Sequence, residues 1–116
     1  MSGFADWDDA VAFALGLPDT ELSTSYGKPA VKVGGKTFLF TGREPGSFSV
    51  NAPLPEKELL METDPDTFWE TDHYRGWPGV LVHCGSPDHE RIERVITRGW
   101  WDKAGKAQRM AFGPRP

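Results

Sequence analysis

Lys28, Lys32, Lys36 and Arg43 place four cations and no acid within residues 28–43. Groups of this kind neutralise phosphates, giving an attraction that falls with salt and carries no sequence information. A second cluster, Thr71-Asp72-His73-Tyr74-Arg75-Gly76-Trp77-Pro78-Gly79, combines ring nitrogens, a phenol, a guanidinium and an indole. His73, Tyr74, Arg75 and Trp77 are therefore candidates for a ligand rim that hydrogen-bonds and pairs with anions. The bland alternative there is a histidine satisfied by backbone, with Tyr74 and Trp77 capping the core.

Other reactive types are present without a pattern that uses them. His73, His83, His89 and Cys84 have the chemistry of metal ligands, but no C-x-x-C or H-x-x-x-H spacing occurs, and neighbours in a strand point to opposite faces. No metal site is expected. Cys84 lies in an apolar run where burial disfavours its thiolate, so it reads as a core residue and not a nucleophile. Asp64, Asp66, Glu70 and Asp72 are close in sequence, but acid/base work needs convergence that spacing does not give. No phosphate-binding loop, dinucleotide fingerprint or nucleophile elbow occurs. The expectation is a chain with no catalytic residues and no cofactor.

The 116 residues fit one domain over 1–116, burying roughly two-thirds of the surface of the unfolded chain. No run reaches the ~18 apolar residues of a membrane span, and the acidic start MSGFADWDD is unlike a signal peptide. A lone cysteine cannot make an internal disulfide, so the expected setting is cytoplasmic. The net charge of −4 alternates along the chain: five acids and no base over 1–27, the basic 28–43, eight acids against Lys57 over 44–74, then eight bases against four acids. Such a field bears on partners and steering, not on fold. The total itself lacks the basic footprint of a nucleic-acid binder.

The elements that must position these residues follow from periodicity. Asp6 caps a helix over 7–15 with Trp7, Ala10, Val11 and Ala14 on one face, stopped by Gly16 and Pro18. Strands follow at Glu21–Ser25, Ala30–Val33, Lys36–Thr41 and around Phe48 and Val50. Gly34-Gly35 is a two-residue hairpin turn, with Lys32 opposite Val31 and Val33, and with Phe38 and Phe40 sharing a face. Pro55 opens a second helix with Leu59, Leu60 and Thr63 as its buried stripe. Gly79–Cys84 is a central strand, and a last helix after Asp88 buries Ile92, Val95, Ile96 and Gly99 or Trp100. Residues 103–116 read as a loose basic tail. The order α-β-β-β-β-α-β-α gives a two-layer α+β domain with helices on one face of an antiparallel sheet, leaving the other face partly open for a partner.

Two segments resemble a known family. Tyr26-Gly27-Lys28-Pro29-Ala30-Val31-Lys32-Val33-Gly34-Gly35-Lys36-Thr37-Phe38 is similar to the signature hairpin of the MmcQ/YjbR family. Thr71-Asp72-His73-Tyr74, Pro78, Val80-Leu81-Val82 and Trp100 resemble the second half of one branch of it. The resemblance runs from about residue 6 to residue 107. It implies a fold related to frataxin-like and secretion-chaperone-like domains, and DNA binding through a double-wing arrangement of hairpins. On that reading Lys28, Lys32, Lys36 and Arg43 would hold DNA phosphates. The family often has an aromatic residue where this chain has Val31, which removes a stacking group from the hairpin, and Trp100-Trp101 is doubled here. The competing expectation is a protein or small ligand held on the open sheet face or at the His73/Tyr74 rim.

Overall fold

The computed structural model describes residues 4–41 and 44–116. Helix α1 spans Trp7–Leu15, and the Asp6 carboxylate accepts from the Asp9 backbone N–H at 3.1 Å, satisfying one of the free donors of the first turn. Four strands follow, β1 Thr20–Ser25, β2 Lys28–Val33, β3 Lys36–Thr41 and β4 Ser47–Asn51, then α2 Leu54–Thr63. A two-residue strand β5 (Phe68–Trp69) and a 3-10 turn (Asp72–Tyr74) lead into β6 Gly79–His83. Helices α3 His89–Lys103 and α4 Lys106–Phe112 complete the chain. Among the described residues no helix is long and apolar enough to cross a membrane.

The sheet is antiparallel throughout, in the order β1-β2-β3-β4-β6-β5. Its register sorts the side chains into two rows. Val31, Leu39, Val50 and Val80 stand side by side on one face. There they pack with Ala10 and Ala14 of α1, Leu60 of α2, and Ile92, Val95, Ile96 and Trp100 of α3. Ala30, Phe40, Ser49, Leu81 and Trp69 form the matching row on the opposite face, which carries no helix layer. The fold is therefore two-layer α+β, with its core between the helices and one side of the sheet.

Three expectations need correction. Phe38 and Phe40 do not share a face. The β2–β3 register steps from Val31↔Leu39 to Lys32↔Thr37, so Phe38 is a bulge residue without a partner and turns into the helix-side core beside Leu39. On α2, Leu59 and Thr63 are exposed, and Lys57 joins Leu60 in the buried stripe. Residues 103–116 are not a loose tail. Lys103 ends α3 and Lys106–Phe112 folds as α4, where the Arg109 guanidinium lies 4.7 Å from the Trp101 ring and donates to the carbonyls of Trp101 and Asp102. Arg115 then binds Glu56 and Asp102, and these acids, the Asp102 hydrogen bond first, hold its proton more tightly than usual against the opposing effect of burial. The basic charge that suggested a free tail is what fastens it.

Candidate functional site

The segment 70–78 folds back across the open face instead of running along its edge. Ser49, fully buried on that face, donates to the Tyr74 hydroxyl at 3.5 Å. Trp77 packs edge-on against Phe40, with centroids 5.7 Å apart and planes at 80°, and sits 5.4 Å from Tyr74. The indole fits there because β6 begins with a glycine: a Cβ on Gly79 would lie 3.0 Å from Trp77 Cζ3.

Lys57 holds the segment in place from below. Its ammonium is buried, donates to the carbonyls of Tyr74 at 2.6 Å and Trp77 at 2.9 Å, and pairs with Glu70 Oε1 at 2.9 Å. Three acceptors for three protons satisfy a charge that would otherwise be very costly to bury.

Between this segment and the first hairpin lies a cleft of about 1080 Å³. Ser25, Tyr26, Lys28 and Phe40 line it from the sheet side and His73, Tyr74 and Trp77 from the other, and Asn51 and Lys103 also line it. Tyr26 is the first residue of the two-residue turn joining β1 to β2; it has φ +53 and is fully exposed. A left-handed conformation costs a non-glycine residue about 1–2 kcal/mol. Such a turn is better served by Asn or Gly, so an unburied tyrosine here gains nothing for the fold.

The domain model for YjbR matches residues 15–101. The chain belongs to the YjbR family. It is 26% identical to proteins of Mycobacterium bovis (Mb2600) and Mycobacterium tuberculosis (Rv2570), over 93% of this chain and 95% of each relative, and both are named only as uncharacterised proteins. The crystal structure of Deinococcus radiodurans protein DR2400, a DUF419 domain, has the same fold, with a TM-score of 0.72 and 18% identity over 95% of this chain and 89% of that one.

Within this YjbR chain the basic residues divide. Lys28 and Lys32 lie on the open face, about 13 Å apart at ~3.3 Å per residue. Lys36 pairs with Val33 and so belongs to the other side at the hairpin end. None of the three has an ion-pair partner among the described residues. Arg43 lies outside the described residues. Of the C-terminal cations, Arg98 and Arg115 are bound to Glu56 and Arg109 to backbone carbonyls, whereas Lys103 lines the cleft with Lys28. Val31 is fully buried on the helix side, so the aromatic residue common in the family at this position would be a core group and its replacement takes no stacking ring from the open face.

Of the rim residues, His73, Tyr74 and Trp77 line the cleft, whereas Arg75 turns to Asp72 at 2.7 Å and approaches Glu70 at 4.0 Å. Cys84 packs against the helix-side core, and burial first, then the carboxylates of Asp6 and Asp9, push its thiol up from 9.0. Ser47 Oγ lies 3.5 Å from His83 Nδ1 and accepts the Trp69 indole N–H at 3.1 Å; His83 is stacked flat on that indole. Among the described residues no three His, Cys, Asp or Glu side chains gather as a metal set.

Sequence reasoning missed Tyr26, Phe40 and Lys57. A signal for Tyr26 existed, since Tyr26-Gly27 sits between two strands at two-residue-loop spacing. Lys57 lies three residues before Leu60, on its face of α2, but a lysine in that position ordinarily reads as solvated.

Proposed function

We propose that this YjbR-family chain is a binding module without chemistry of its own, holding its partner in the cleft on the open sheet face. The convergence of Tyr26, Phe40, Tyr74 and Trp77 with Lys28 around one cleft carries the reading. Ligand sites are typically concave, mostly apolar and aromatic, with a few polar groups that fix orientation. The protonated, core-facing Cys84 and the long Ser47–His83 contact support a non-catalytic role. A cytoplasmic setting, suggested by the lone cysteine, belongs to the same proposal. The test is a fragment screen by protein-observed NMR on wild type and Trp77→Ala. Hits should perturb Tyr26, Lys28, Phe40 and Trp77 and disappear in the variant; hits that map elsewhere would overturn the reading.

DNA binding is the second reading. It is favoured by Lys28 and Lys32 standing on one face with no ion pair among the described residues, where they could meet phosphates, although Glu21 stands opposite Lys32 across the β1–β2 ladder and offsets part of its charge. Lys36 lies apart from this pair, so the salt dependence should reflect about two phosphate contacts from the described hairpin lysines, not three. Titration of duplex DNA at about 50 mM salt with micromolar protein decides it, and no complex under those permissive conditions rejects it.

A further inference from the structure

Resting on the cleft reading above, we infer that the cleft takes a small planar aromatic molecule carrying one anionic group. The ring requirement comes from geometry. Phe40 and Trp77 meet at 80°, forming a corner in which an inserted ring stacks on one wall and meets the edge of the other. Tyr26 lines the cleft in a left-handed conformation that the turn requires but a tyrosine does not favour, with its whole ring exposed and available to cover the entrant.

The anion requirement comes from the charges that line the same space. Among the described residues its cations are Lys28 and Lys103 and its acids are Glu44 and Asp72. Asp72 is already bound to Arg75 at 2.7 Å, so among the described residues two ammonium groups face Glu44, a surplus of one positive charge, with His73 as a further donor. Lys28 and Lys103 have no ion-pair partner among the described residues. A carboxylate or phosphate on the ligand would supply one, and in a partly desolvated cleft such a charge-assisted contact is stronger than a neutral one. A neutral ring would leave the surplus unanswered, and a bare anion would leave the aromatic corner empty.

Aromatic carboxylates and nucleoside monophosphates share this chemistry, and the experiment separates them. Calorimetric titration uses indole-3-acetate and adenosine 5′-monophosphate, with indole-3-acetamide, adenosine and inorganic phosphate as controls. At least one anionic ring should bind about tenfold or more tightly than its uncharged counterpart and than phosphate. Lys28→Met, at the wild-type Tm, should reduce it to the level of the neutral compound, and Phe40→Leu, still folded by circular dichroism, should weaken charged and neutral rings alike. Binding of the monophosphate alone identifies a nucleotide source, and of the indole acid alone an aromatic-acid source. Equal affinity for charged and neutral rings, or phosphate binding as tightly as either, overturns the inference while leaving the cleft reading intact. If no probe binds yet screening hits map to the cleft, the inference falls alone; if nothing perturbs the cleft, both fall.

Discussion

The Lys57 ammonium, on α2, lies 2.9 Å from Glu70 Oε1, at the start of the segment that crosses the open face. It also donates to the carbonyls of Tyr74 and Trp77, so one buried charge fixes both ends of the cleft wall. Removing one partner of a buried, hydrogen-bonded pair leaves the rest uncompensated, which costs about 3–5 kcal/mol. Lys57→Met is therefore expected to lower unfolding free energy by about that amount in urea denaturation. It should also free the 70–78 segment, read as faster amide exchange at Trp77 and Gly79. A loss below about 1 kcal/mol would mean that the wall is held by its aromatic packing instead.

Gly79→Ala tests the same wall from the sheet. The new methyl would sit 3.0 Å from Trp77 Cζ3 and 3.1 Å from Cε3, so the indole must move off Phe40. Overpacking of this kind costs about 1–3 kcal/mol where nothing can yield, and the low end is expected because Trp77 is partly exposed. The indole emission should shift and cleft binding should fall by more than the loss of stability accounts for. Unchanged emission and binding would show that the indole position does not define the site.

The division between what the sequence displayed and what it concealed follows from the range of the forces involved. Alternation and turn chemistry act between near neighbours, and they revealed α1, the β1–β4 meander, the Gly34-Gly35 turn and the buried face of α3. The Phe38 bulge was hidden because it is set by pairing with β2, not by the spacing of β3 itself. Lys57 was hidden because its partners lie 13 to 20 residues away in a segment with no regular pattern. Arg115 was misread for the same reason: its value to the fold depends on Glu56 and Asp102, which only the packing of α2 and α3 brings together. His73, Tyr74 and Trp77 were legible as a rim by type, but the opposite wall, Tyr26 and Phe40, was not.

Tyr26→Asn separates folding from binding. Asparagine tolerates the left-handed conformation that Tyr26 holds at φ +53, and the exposed ring makes no buried contact that the change would remove. Stability should rise by up to about 1 kcal/mol in urea denaturation while cleft affinity falls. A variant that is less stable, or that binds as well as wild type, would remove Tyr26 from the site.

Cys84 gives a pH dependence with a definite sign. Burial, with Asp6 and Asp9 nearby, raises the thiol from 9.0 in the native protein. In the unfolded chain the thiol deprotonates near its ordinary value, while the native one still holds its proton, so over that interval the native state binds more protons. Stability must then fall as pH rises through it, and the contribution is complete below the unfolded value. Comparison of wild type with Cys84→Ala in denaturation series on both sides of 9.0 isolates the effect from other alkaline titrations. The wild type should lose more stability than the variant on the alkaline side, and its native thiol should react more slowly with a disulfide reagent than the same thiol in urea. Parallel stability curves and equal reaction rates would mean that Cys84 is solvated and that neither its burial nor the two carboxylates act on it.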